Sequence, residues 1–222
     1  MSYQPQSTLI FGGSGKVARH ITRLLTSPPH DHAVYNLIRN PSQTPSIASL
    51  GGNPVVQNIE TATVQDLTAT ITTTNATTII WSAGAGGGDP ARTRAVDHEG
   101  AVKAMDAAAA AAVGVEGGRR FVMVSAVDVR DRDSRPEPEW YSDFDRTHSE
   151  RVWSAIGSYM EAKLAADREL VGGNGKRGLR FTIVRPGGLS EEASTGKVSA
   201  GKVHISPTIP REDVAKLSLI HI

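Results

Sequence analysis

The sequence predicts an α/β fold in which a doubly wound parallel sheet lies between two helical layers, a three-layer arrangement, and three observations carry that reading. Apolar runs at Thr8–Phe11, Val34–Arg39, Pro54–Gln57, Thr77–Ser82, Arg120–Ser125 and Phe181–Arg185 are mostly continuous rather than alternating, as in strands covered on both faces. Helical segments stand between them, and strand–helix alternation favours parallel crossover connections. The first run breaks at once into Gly-Gly-Ser-Gly, after which helical spacing resumes.

Taken in order, the strand at Thr8–Phe11 leads to a helix at Lys16–Leu25, and the second strand closes on Leu-Ile-Arg-Asn. A helix at Thr63–Thr73 rests on the alternation alone, because its threonines favour strand or turn. Ala91–Val113 contains the run Ala107–Ala112, strongly helix-forming, with Gly114 as a natural stop. Ser158–Val171 supplies a further helix, and a last one begins at Pro210-Arg-Glu-Asp. Three segments resist regular structure: Ala85–Asp89, Arg130–Glu139 and Gly187–Pro210. All follow carboxyl ends of strands, where an open α/β sheet forms its ligand crevice.

Residues 1–222 have the size and balance of a single domain, with 39% hydrophobic and 21% charged side chains. The final Leu-Ser-Leu-Ile-His-Ile ends inside the last helix without a cap, so a C-terminal end that is shortened or frayed is expected. A formal charge of +1, with no basic cluster, argues against nucleic acid and against an anionic membrane. The chain has no cysteine, which excludes disulfides, thiolate metal sites and a thiol nucleophile. The first residues lack a basic stretch followed by an apolar core, and no segment is apolar for long enough to span a bilayer, so a soluble, cytoplasmic protein is expected.

Gly12, Gly15 and Ala18 form G-x-x-G-x-x-A directly after the first strand. The first small residue permits a tight turn, the second lets a pyrophosphate approach the backbone, and the third allows close helix–strand packing. The following helix would aim its free N–H groups at the phosphates. Tyr159 and Lys163 lie four residues apart, on one helical face, where an ammonium stabilises a phenolate and brings tyrosine towards general acid–base use. Ser125 puts a hydroxyl at the carboxyl end of a buried strand, able to hold a carbonyl oxygen.

With these features the chain resembles the short-chain dehydrogenase/reductase superfamily, and more closely its atypical NAD(P)-binding Rossmann branch, similar to NAD(P)-dependent epimerase/dehydratase-like proteins. The resemblance runs from Ser7 to about Leu219 and includes Trp-Ser-Ala-Gly-Ala, Val-Asp-His-Glu-Gly-Ala and Thr-Ile-Val-Arg-Pro-Gly-Gly-Leu. It implies that Tyr159 is the general acid/base, that Lys163 holds the nicotinamide ribose and depresses the tyrosine, and that Ser125 polarises the substrate carbonyl. It also implies cofactor contacts from Gly12, Gly13, Ser14, Gly15, Lys16, Val17, Asn58, Ala83, Gly84 and Pro186. Asp97 stands where many relatives have asparagine; its carboxylate can still orient water or the lysine while altering the charge balance.

Cofactor choice turns on Arg39. An acid closing the second strand favours NAD through the ribose 2′-hydroxyl, whereas an arginine accommodates a 2′-phosphate. Here the strand ends on Arg39 with no acid until Glu60, so NADP is expected over NAD. The seven histidines are scattered, and His30-x-His32 lacks a third ligand at metal spacing, so no metal is expected. Trp140, Tyr141 and Trp153 either line a pocket or anchor a loop, and Arg130-Asp-Arg-Asp-Ser-Arg reads as a solvated loop. The expected activity is hydride transfer to or from a small carbonyl or alcohol substrate by a monomer or homodimer. The alternatives are a non-catalytic NADP sensor or partner-binding module, and lastly a nucleotide-sugar epimerase or dehydratase, for which the segment after Arg185 is short.

Overall fold

A computed structural model describes residues 6–112, 115, 117–205 and 208–220. Six strands, β1 (Ser7–Phe11), β2 (Ala33–Ile38), β3 (Asn53–Val56), β4 (Thr78–Trp81), β5 (Arg120–Val124) and β6 (Arg180–Val184), form one sheet. Their order is β3-β2-β1-β4-β5-β6 and every pairing is parallel. Phe11 pairs with Leu37 on one side and Trp81 on the other, so the strand order reverses around β1. In a doubly wound sheet that reversal opens a crevice at the carboxyl ends of β1 and β4.

Alternate residues of each strand feed opposite sides of the sheet. Ile10, Val34, Ile80, Val122 and Val184 pack with Val17, Ile21 and Leu25 of α1 (Lys16–Leu25) and with Val214 of α7 (Arg211–Leu219). Leu9, Phe11, Ile79, Trp81, Phe121 and Met123 pack against α3 (Val64–Thr73), α5 (Ala101–Ala111) and α6 (Asp143–Arg177). The three-layer doubly wound architecture is therefore present. A short α2 (Thr44–Ala48), following a 3-10 turn at Pro41–Gln43, packs near β3 and was not foreseen.

Several elements differ from expectation for identifiable reasons. The α3 helix forms despite its threonines because Thr63 and Asp66 build a reciprocal N-terminal cap, and Thr68, Thr72 and Thr74 return their hydroxyls to carbonyls one turn back at 2.8–2.9 Å. The helix expected at Ala91–Val113 is instead α4 (Pro90–Thr93), a π-helical stretch at Arg94–Gly100, and α5. Val113 and the Gly114 stop lie outside the described residues. The α6 helix starts fifteen residues before Ser158, at Asp143, where Ser142 and Asp145 cap each other, and it kinks at Ile156 (φ −134°, ψ 35°). Its first half has no apolar stripe, since only Asp145 and Ser149 are buried there, so hydrophobic spacing could not reveal it.

The loop at Arg130–Glu139 is less free than its alternating charge suggested. Arg130 is nearly buried and donates to Asp128 at 3.0 Å, while Asp131 and Arg132 pair with Arg168 and Glu150 of α6. Asp128 also accepts hydrogen bonds from Tyr141 (3.0 Å), Ser149 (2.5 Å) and Trp153 (3.1 Å). Tyr141 and Trp153 therefore anchor a loop, as does Trp140 through the Val203 carbonyl at 3.2 Å.

The segment from Gly187 to Pro210 is not wholly irregular: Leu189–Ser190 (β7) pairs in parallel with Ile209–Pro210 (β8). Two buried carboxylates fasten the rest. Asp145 accepts from His204 at 2.6 Å and from the Ile205 amide at 2.9 Å, and Asp213 accepts from the Thr195 amide and hydroxyl, both at 2.9 Å, and from the Gly196 amide at 3.1 Å. Hydrogen bonds from Ser194 and Thr195 outweigh burial and hold the Asp213 carboxyl down at about 2. A depressed folded-state pKa gives stability that is complete above the ordinary carboxyl value and lost as pH falls through the depressed one. Acidification from pH 4 to about 2 is thus expected to free this segment, read as accelerated acid-protease cleavage between residues 191 and 205. Unchanged cleavage across that window would show that Asp213 does not fasten the segment.

Candidate functional site

The turn after β1 sits at the strand-order reversal. Gly12 adopts φ +73°, and a Cβ there would lie 2.5 Å from the Ala83 Cα, so glycine serves both the left-handed turn and the close passage of the β4 end. Gly15 caps α1 without any side-chain hydrogen bond, leaving the first-turn amides without intrahelical acceptors. Together with Ser14, these glycines line a cleft that continues over Leu37, Arg39, Asn58, Glu60, Ala83, Gly84 and Arg92. Bare amides at one end and a rim of charged side chains at the other fit a dinucleotide's phosphates and adenosine.

Beyond Gly84, four candidate catalytic side chains meet at the carboxyl ends of β4 and β5. The Lys163 ammonium, buried, stands 3.1 Å from Asp97 Oδ1 and 3.4 Å from the carbonyl oxygens of both Ala83 and Val124. It also lies 5.6 Å from the centre of the Tyr159 ring. Asp97, fully buried in the π-helical stretch, uses its other oxygen to accept from the Ala85 amide at 2.9 Å. Ser125 extends the β5–β6 ladder through its amide to the Val184 carbonyl at 2.8 Å. Its hydroxyl is buried and makes no hydrogen bond of normal geometry.

A family described as NAD(P)H-binding matches residues 12–219, nearly the whole of this cleft-bearing framework. The chain belongs to that family. It is 39% identical to a UPF0659 protein of Schizosaccharomyces pombe over 96% of this chain and 82% of that one. It is 33% identical to a Bacillus subtilis protein named an uncharacterized sugar epimerase, over 93% of this chain and 83% of that one. Among solved structures, a provisionally named NAD-dependent epimerase/dehydratase from Bacillus halodurans superposes with a TM-score of 0.72 at 29% identity, covering 97% of this chain and 87% of that one. The anaerobillin reductase ChuY from Escherichia coli O157:H7 shares the fold, with a TM-score of 0.68 at 22% identity over 96% and 88% of the two chains.

In this NAD(P)H-binding protein the remaining sequence-derived positions fall into two groups. Asn58, Ala83 and Gly84 line the cleft, and Asn58 steadies it by accepting from the Glu60 amide at 3.0 Å. Gly13, Lys16, Val17 and Pro186 do not line it. Gly13 packs on β2, where a Cβ would meet the Asn36 Cβ at 2.5 Å, and Val17 buries its side chain in the core. The Lys16 ammonium turns to Glu191 at 2.6 Å, an acid held also by Arg211 at 2.7 Å. Pro186 lies across from Ser125's strand end and accepts from the Val127 amide at 2.8 Å.

Two readings change. Lys163 does pull the Tyr159 phenol down, but burial pushes it up further, aided by Asp97 and Asp167, and the net shift is upward. The carboxylate that pairs with Lys163 also blunts its effect on the tyrosine. Glu60, too distant in sequence to count as the acid ending β2, comes within 2.9 Å of Arg39 in space.

Asp167 was missed. It is buried one turn beyond Lys163, pairs with Arg185 at 2.8 Å, and its carboxyl is raised chiefly by burial despite that arginine and the neighbouring Ser125 hydroxyl. Tyr159, Lys163 and Asp167 occupy i, i+4 and i+8, so extending the helical spacing by one step would have found it.

Proposed function

We propose that this protein is an NADP-dependent oxidoreductase that reduces a small carbonyl substrate, with Tyr159 as proton donor. The observation that carries the proposal is the convergence of Tyr159, Lys163, Asp97 and Ser125 beside the nucleotide cleft. The bound nicotinamide would supply the hydride. Ser125, whose buried hydroxyl neighbours the Asp167 carboxyl, would turn to hold the carbonyl oxygen, and Tyr159 would give that oxygen its proton as charge develops there. The phenol is shifted upward from a value that already leaves it protonated at neutral pH, so it has a proton to give to the substrate oxygen. Lys163, held between Asp97 and two strand-end carbonyls, would orient the ribose and steady the developing charge.

The preference for NADP rests on Arg39 at the end of β2, joined at the cleft by Arg92. Titration with NADPH and NADH, followed by cofactor fluorescence, is expected to show tighter NADPH binding that Arg39→Ala weakens about tenfold. Binding of neither cofactor would overturn the reading. The name of the Bacillus subtilis relative supports epimerisation as a second reading. Cofactor retained through purification and never released during turnover would favour it; stoichiometric consumption of NADPH with a carbonyl substrate would favour reduction.

A further inference from the structure

One oxygen of Glu60 carries three N–H groups at the rim of the cleft: Arg39 Nη1 at 2.9 Å, Arg92 Nε at 3.2 Å and Arg92 Nη2 at 3.2 Å. Arg39 comes from the end of β2, Glu60 from the loop after β3 and Arg92 from α4, so three separate connections meet there. All three side chains line the cleft that holds the glycine turn. Arg92 is fixed independently, because its Nη1 donates to the Ala85 carbonyl at 2.8 Å. Although burial pushes the Glu60 carboxyl up, hydrogen bonds from Arg92 and Arg39 hold it below the usual range, so it is ionised at neutral pH.

We propose that Arg92 joins Arg39 as a two-guanidinium clamp for the 2′-phosphate of NADP, and that Glu60 is the clamp's resident counter-ion and sets the preference between NADP and NAD. The inference rests on the cofactor reading above. Two guanidiniums and one carboxylate leave the rim one positive charge, which a phosphate dianion meets only after breaking or sharing the Glu60 contacts. Glu60 keeps both arginines at the rim in the free protein and opposes the phosphate when it arrives. The same carboxylate can accept from an unphosphorylated ribose 2′-hydroxyl, which makes it an element favouring NAD inside a site otherwise built for NADP. Arg39 alone therefore does not fix selectivity.

The experiment is calorimetric titration of the full chain with NADPH and NADH, and with the fragment pair 2′,5′-ADP and 5′-AMP, for wild type, Arg39→Ala, Arg92→Leu and Glu60→Gln. Arg92→Leu is expected to weaken NADPH and 2′,5′-ADP about tenfold while leaving NADH and 5′-AMP within about twofold. Glu60→Gln is expected to tighten NADPH about fivefold and to weaken or spare NADH, widening the ratio between them. Binding of the unphosphorylated ligands monitors the cleft itself, since a collapsed pocket loses both members of each pair. If Arg92→Leu weakens both cofactors equally, Arg92 only holds the Ala85 loop and the clamp is refuted. Weaker NADPH binding by Glu60→Gln would refute the counter-ion role. Wild-type protein that binds neither cofactor, or prefers NADH, would overturn the cofactor reading together with the clamp. Loss of selectivity in Arg39→Ala alone would leave that reading intact and overturn the clamp.

Discussion

Replacing Tyr159 with phenylalanine is expected to lower kcat for NADPH-dependent carbonyl reduction by about 10²–10⁴, with the dissociation constant for NADPH close to that of wild type. The substitution removes one oxygen and little else. Among the described residues that oxygen makes no hydrogen bond, so no structural contact is lost with it. The ring's position over the Lys163 ammonium, 5.6 Å away, is available to phenylalanine as well. A large drop in kcat would consequently report proton donation rather than misfolding, and an unchanged thermal unfolding midpoint would establish that the variant is folded. Tyr159→Phe protein that binds NADPH and retains full turnover would eliminate Tyr159 as the acid. The remaining hydroxyl beside the site, that of Ser125, would then have to be tested in the same way.

The middle of the sheet was readable because it is covered on both faces: β1, β4 and all but the first residue of β5 are buried, whereas the half-exposed edge strands β3 and β6 were marked by shorter apolar runs, and the glycine turn located the first crossover. Periodicity failed where burial is polar. Residues 143–157 of α6 bury a carboxylate and a hydroxyl instead of a stripe of leucines, and the one local signal that could have marked the helix start, the Ser142–Asp145 capping pattern, was not read. Distance in sequence hid other features. Glu60 is 21 residues from Arg39 and 32 from Arg92, and no local pattern joins them into one ion cluster. The Tyr159/Lys163 pair was legible because helical spacing alone places it, whereas the upward shift of Tyr159 depends on how deeply α6 packs and on a carboxylate 62 residues before it.

That carboxylate makes Asp97→Asn the most informative substitution at the site. Asp97 and Lys163 are buried together, 3.1 Å apart, and removing one charge leaves the other without its counter-ion. Breaking a buried pair in this way costs about 3 kcal/mol at the low end, and asparagine belongs there because its carbonyl can still accept from the Ala85 amide. For a chain of this length the unfolding midpoint should fall by roughly 6–12 °C. Asp97→Asn combined with Lys163→Met should recover part of that loss, since no lone charge remains buried.

The pH profile has a definite sign. Asp97 pushes the Tyr159 phenol upward, after the larger effect of burial, so neutralising it lowers the tyrosine's pKa. Carbonyl reduction needs the protonated phenol, and the alkaline limb of kcat/KM should move to lower pH in Asp97→Asn. The two strand-end carbonyls at 3.4 Å continue to hold the Lys163 amine in place. A limb displaced to higher pH would contradict the upward push of Asp97 on the phenol and show that Asp97 acts on Tyr159 by another route. An unmoved limb, in a variant whose unfolding midpoint has dropped, would separate the two roles: Asp97 would support the fold of this corner without positioning the acid.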